Sequence, residues 1–139
     1  MSIRIFALSC LSLCLLPGST EAFPPAPYYT LHGTVRDQTG QVIRADGAEV
    51  LLLKGTEVKG RAKISSGVNL DQNYSLAVRI DQSRPATTLY NQAAVQANGQ
   101  FGLAVEMNGQ RYLPIEVNGT LTAGKGGEQV RLDLTLGED

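Results

Sequence analysis

Alternation of apolar and polar residues with a period of two restricts this chain more than any other feature. From Tyr74 to Asp81, Tyr74, Leu76, Val78 and Ile80 fall on one side, and Ser75, Ala77, Arg79 and Asp81 on the other. Successive side chains of a strand point to opposite faces, so this run predicts a strand with one face on a core and one in water. The pattern recurs three times. Tyr29, Leu31, Gly33 and Val35 share a parity, as do Phe101, Leu103, Val105 and Met107, and Val130, Leu132, Leu134 and Leu136. Val50-Leu51-Leu52-Leu53 is apolar on both parities, which predicts a central strand covered on both sides. Turn chemistry punctuates these runs at Asp37-Gln-Thr-Gly40, Arg44-Ala-Asp-Gly47, Asn118-Gly119 and Gly124-Lys-Gly-Gly127. Asp bonds its own backbone two residues on, and Gly accepts positive φ. The expectation is an all-β fold: an antiparallel two-sheet β-sandwich of roughly six to eight short strands over residues 28–136.

The N-terminal residues 1–22 read as an address rather than as fold. Arg4 gives a positive start, Ile5–Leu16 is apolar, Pro17-Gly18 breaks the run, and Thr20 and Ala22 put small residues before a cleavage point after Ala22. The apolar run is about 12 residues, short of the roughly 20 that span a bilayer. The expected destination is the periplasm, the cell surface or the medium, with no membrane insertion once the signal is removed. Both cysteines of the chain, Cys10 and Cys14, lie in this segment. Neither stands where a lipid anchor needs it, and the processed chain would have no disulfide. Its stability must then come from a buried core. Residues 23–27, Phe-Pro-Pro-Ala-Pro, form a stiff extended leader. Residues 137–139 are an acidic tail.

Some stretches read two ways. Ser83 followed by Pro85, with Ala86, Leu89, Tyr90, Ala93, Ala94 and Ala97 at helical spacing, fits one helix over 86–97. Thr87-Thr88 and the lack of charge after Arg84 fit two short extended pieces, around Leu89-Tyr90 and Ala93–Val95. Asn108-Gly109 lies between Gln100–Met107 and Arg111–Val117. A three-residue loop, Met107-Asn108-Gly109, pairs Leu103 with Leu113 and Phe101 with Ile115 on one apolar face. A two-residue loop would instead pair Met107 with Gln110 and put the two apolar sets on opposite faces. The hydrophobic match predicts the three-residue loop. Pro114 cannot donate to a ladder, which predicts an edge or a bulge there.

The residues that carry chemistry are few. The net charge of −1 has no basic run behind it, which excludes a nucleic-acid footprint. His32 is the sole histidine and lies on the polar parity of its strand. With no second histidine and no cysteine after processing, no zinc, copper or iron site of the usual kind can form. No Gly-x-Ser-x-Gly elbow presents a nucleophile. The carboxylates are scattered singly, and Asp37, Asp46 and Asp71 lack calcium-loop spacing. No catalytic residue, metal ligand or cofactor is expected, and the chain reads as a non-enzyme. Asn73-Tyr-Ser and Asn118-Gly-Thr match the glycosylation sequon. Tyr29 and Tyr74 fall on core parities, whereas Tyr28 and Tyr112 are the tyrosines expected to be exposed and to grip a ligand.

Three segments carry a family resemblance. Gly33-Thr-Val-Arg-Asp-Gln-Thr-Gly40, Asp46-Gly-Ala-Glu-Val-Leu-Leu52 and Asn73-Tyr-Ser-Leu-Ala-Val78 resemble the prealbumin-like, carboxypeptidase-regulatory-like β-sandwich domains of bacterial exported proteins. The resemblance covers mainly residues 28–80. Leu70–Asp81 and Val130–Gly137 also resemble the N-terminal modules of secreted bacterial proteins that continue into Asp-rich, thrombospondin-type-3-like repeats. This sequence stops at Gly137-Glu-Asp139, where such repeats would begin. The resemblance implies a prealbumin- or immunoglobulin-like topology and a non-catalytic module at the cell surface or outside the cell. Its partner would be a protein in a structural or adhesive role. The alternative is a small carbohydrate-binding module that grips a polysaccharide through Tyr28 and Tyr112.

Overall fold

The computed structural model describes residues 27–65, 71–81 and 92–137. The expected signal sequence, the leader up to Ala26, residues 66–70, residues 82–91 with the expected extended piece at Leu89-Tyr90, and Glu138-Asp139 lie outside the described residues. Eleven strands and no helix occur among those described: β1 Tyr28–Gly33, β2 Val35–Arg36, β3 Glu49–Lys54, β4 Glu57–Lys63, β5 Tyr74–Asp81, β6 Val95–Gln96, β7 Gln100–Met107, β8 Gln110–Tyr112, β9 Leu121–Thr122, β10 Gln129–Arg131 and β11 Leu134–Thr135. The first sheet has the order β10-β1-β5-β6, the second β4-β3-β7-β8 with β9 also on β7, and β2 and β11 form a two-stranded sheet of their own. The two faces meet at the rings of Tyr29 and Phe101, edge to face with centroids 6.3 Å apart.

The core is built from the alternating parities. Leu31, Leu76, Val78 and Ile80 of the first sheet and Val50, Leu52, Phe101 and Leu103 of the second are buried in one cluster. Each such side chain contributes about 2 kcal/mol through the apolar area removed from water. β3 lies between β4 and β7, as its double-sided apolar run predicts.

Three expectations need correction. Among the described residues the strands number eleven, in part because two long runs are interrupted. Thr34 separates β1 from β2, and Leu132-Asp133 separates β10 from β11. There the Thr34 N–H donates to Asp133 Oδ1 at 2.9 Å instead of to a ladder carbonyl. The sheets are also not purely antiparallel. β1 with β10, β2 with β11 and β5 with β6 run parallel. Alternation fixes which face a side chain takes but carries no information on strand direction.

The third correction is the hairpin. Met107 pairs with Gln110, so the loop has two residues, Asn108 and Gly109. Both have positive φ, 53° and 78°. That is what a primed two-residue turn requires, and its twist matches the twist of the flanking strands. Turn chemistry outweighs the hydrophobic match. Tyr112 therefore stands opposite Val105 on the inner face, and Leu113 and Ile115 turn outward. Pro114 lies past the end of β8, in an isolated bridge with Leu136.

β4 is also longer than its weak pattern implies. A Cβ at Gly60 would sit 3.1 Å from Val78 Cγ2 and 3.3 Å from Leu76 Cδ1, so β5 fills the space where an apolar side chain would have marked the strand. The register shifts between Leu52 and Leu53, which breaks the period further.

Tyr74 ties the core to the last strand, its hydroxyl donating to the Leu132 carbonyl at 2.5 Å. Burial first, then Asp133, Glu116 and Tyr29, pushes its ionisation far above the ordinary tyrosine range. The unfolded tyrosine titrates near pH 10, so above that pH the unfolded chain sheds a proton that the fold retains. Stability is then full below about pH 10 and falls above it by at most about 1.4 kcal/mol per pH unit. Tyr74→Phe is expected to cost about 1 kcal/mol at pH 7 and to flatten this alkaline slope. Urea midpoints between pH 8 and 11 measure both effects. A slope unchanged in the variant would assign the alkaline loss to other groups.

Candidate functional site

The structure does not bring the two predicted tyrosines together. Tyr28 is 45% exposed on the outer face of the first sheet. Arg79 stands opposite it in register, with its guanidinium 5.6 Å from the ring centroid and its Nε donating to the tyrosine hydroxyl at 3.3 Å. Tyr112 belongs to the second sheet. Contrary to the expectation of exposure, it is half-buried and packs against the core. Their rings form no common platform.

The other candidates have structural roles. His32 is half-buried in β1, in register with Ser75 and Arg131. Asn73 is 4% exposed, and its amide nitrogen donates to the carbonyls of Val35 and Ile43, so this sequon has no accessible acceptor. The Asp37 carboxylate closes its own turn. It accepts from the Thr39 hydroxyl at 2.6 Å and from the N–H groups of Thr39 and Gln41, and the Thr39 hydroxyl foremost holds its pKa below the usual range. Among the described residues no group of three or more His, Cys, Asp or Glu could hold a metal ion. No helix among them is long and apolar enough to cross a membrane.

A different site emerges at the margin of the second sheet. One edge of β7 is shared: β9 pairs with Gln100 and Phe101, and β8 with Val105 to Met107. Between these pairings the chain from Leu113 to Thr120 arches away. An open groove of about 620 Å³ lies there, lined by Leu53, Gly102, Leu113, Ile115 and Val117 among others. Leu113 is 69% and Ile115 62% exposed. Gly102 supplies a bare floor, since a Cβ there would have only Leu53 Cβ within reach, at 4.0 Å. Among the described residues no ionisable side chain lines the groove, whose polar members are Asn118 and Thr120. Sequence reasoning missed it because the three-residue hairpin would have turned Leu113 and Ile115 inward. The Asn108-Gly109 dipeptide was the signal that could have found it.

No family model, curated protein or solved structure matches the chain. The groove and the two outer sheet faces are therefore interpreted through their own chemistry.

Proposed function

We propose that the chain is a non-catalytic exported β-sandwich module, of the prealbumin-like, carboxypeptidase-regulatory-like kind, that docks a partner protein at the cell surface or outside the cell. The observation that carries this reading is the pair of exposed aliphatic side chains, Leu113 and Ile115, over the groove at Gly102. Contiguous exposed apolar surface of this kind marks an interaction site. Its chemistry favours an extended partner segment with aliphatic side chains, because the lining among the described residues is uncharged and the groove follows a sheet margin. Main-chain strand addition is less favoured at the longest edge. β4 alternates Glu57, Lys59, Arg61 and Lys63 and is irregular opposite Leu52-Leu53, both of which discourage edge pairing. A sugar platform built on Tyr28 and Tyr112 together loses support, since Tyr112 packs against the core.

The test is selection of binding peptides from a random library on the protein purified after expression of the full chain. Peptides with spaced aliphatic residues are expected. The double variant Leu113→Ser/Ile115→Ser should bind them about a hundredfold more weakly, since each side chain offers about 1.5 kcal/mol of desolvation. Its melting temperature should stay within about 2 °C, because both sites are on the surface. Equal binding by the double variant would reject the groove as the docking site.

A further inference from the structure

The outer faces of the two sheets differ in how their cations are paired. On the second sheet, Arg61 pairs with Glu49 at 3.0 Å and with Glu106 at 3.7 Å, and Arg111 pairs with Glu106 at 2.9 Å, so the charges close on one another. On the first sheet, Tyr28 lies beside Arg79, Thr30 beside Gln129, and His32 beside Arg131. Of the other β5 positions on this parity, Ser75 and Ala77 are exposed and small, and Asp81 is buried. Among these positions the one carboxylate is that of the buried Asp81. Among the described residues Arg79 has no acidic partner, and its polar contact is the Tyr28 hydroxyl. Arg131 Nη2 reaches Asp133 Oδ2 at 3.4 Å in an exposed pair, while Asp133 Oδ1 accepts the Thr34 N–H.

We infer that this face is a second binding surface, for an acidic polysaccharide whose carboxylates engage Arg79 and Arg131. The inference stands apart from the groove and from the partner assigned to it. A guanidinium presents a planar fork that meets a carboxylate with two hydrogen bonds. Stacking on Tyr28 holds the Arg79 fork in place, and the exposed part of the ring offers apolar contact to the C–H faces of a sugar. Thr30, Ser75 and Gln129 supply donors and acceptors for hydroxyls between the two cations. The Arg79 and Arg131 rows lie about 13 Å apart along β1, and their strands flank β1 about 10 Å from each other. That diagonal suits a linear chain with charges at intervals. It does not suit a bilayer, because among the described residues the aliphatic side chain on the face is Ala77, too short to enter one. The two guanidinium groups and one tyrosine ring among the described residues are also too few for a nucleic-acid strand.

The test uses the purified protein, oligomers of polygalacturonate, and the same oligomers fully methyl-esterified, which keep the sugar and lose the charge. Calorimetry is expected to show binding to the acid form that weakens as salt rises and is lost on esterification. Arg79→Gln and Arg131→Gln should each weaken it about tenfold, while Arg79→Lys, which keeps the charge but not the fork, should weaken it less. Leu113→Ser/Ile115→Ser should leave it unchanged, which separates this face from the groove. Circular dichroism confirms that each variant is folded. Absence of binding, equal binding of the ester, variants that bind like the parent, or preference for anionic vesicles or single-stranded DNA would each overturn the inference.

Discussion

Gly33→Ala is expected to destabilise the protein by about 3 kcal/mol or more. A Cβ at Gly33 would lie 2.3 Å from the Leu132 carbonyl oxygen and 2.8 Å from Asp133 Oδ1. The nearer of these atoms is backbone, so a rotamer change cannot relieve the contact. The first and last strands would have to separate where Leu132 N–H donates to the His32 carbonyl at 2.8 Å and Leu134 N–H to the Thr34 carbonyl at 2.8 Å. The Thr34 N–H bond to Asp133 would lengthen with them, leaving a buried donor without a partner. Gly102→Ala is the matched control. It too is a strand glycine, but the added methyl group meets only Leu53 Cβ at 4.0 Å. That variant should be neutral or slightly stabilising, because alanine restricts the unfolded chain. Urea unfolding of the two variants separates loss of close approach from a general effect of adding a methyl group. Equal midpoints would refute the account of Gly33.

Gly33 also shows where the sequence stops being legible. Its parity was readable: Tyr29, Leu31, Gly33 and Val35 lie on the buried side. The close approach was not, because the chain that Gly33 touches is about a hundred positions away, as the separation of 99 between Thr34 and Asp133 indicates. Local alternation encodes the face of a residue and not its neighbour in the next strand. The all-β class and the core parities of β5 and β7 followed from the sequence. The parallel pairing of the chain ends did not. At the groove a local signal was present but outweighed. Asn108-Gly109 encodes a two-residue turn through two positive φ angles, whereas the matching of apolar residues across the hairpin pointed to three. The turn sets the parity of everything after it, so Tyr112 moved inward and Leu113 and Ile115 moved out. The exposure of Tyr28 was legible because nothing after that turn determines its face.

Asn73 carries the second large effect, and its chemistry makes it separable from simple cavity formation. Its Oδ1 accepts the Val35 N–H at 2.7 Å, and its Nδ2 donates to the carbonyls of Val35 at 3.2 Å and Ile43 at 3.0 Å. Its own N–H donates to the Gly33 carbonyl, and its carbonyl accepts from Ser65. One buried side chain thus closes the gap between β2, the segment at Ile43 and the start of β5. Asn73→Ala removes the partners of the Val35 N–H and the Ile43 carbonyl. The Val35 carbonyl still accepts from the Ile43 N–H at 3.0 Å. Two orphaned groups at about 1–2 kcal/mol each predict a loss of about 3 kcal/mol. Asn73→Asp keeps the acceptor but turns a second carboxylate oxygen towards two carbonyls, in a site that is 4% exposed. At pH 7 it should therefore be no more stable than the alanine variant. Burial and the facing carbonyls raise the pKa of that aspartate in the fold, so its stability is greatest below the unfolded value near 4 and is lost as pH rises through the folded one. The protonated carboxyl supplies one O–H donor and recovers part of the amide's role. Asn73→Asp should gain on Asn73→Ala as pH falls from 7 to 4, measured as the difference between their urea midpoints. A constant difference across that range would mean that the cost at this position lies in volume and not in the two donors.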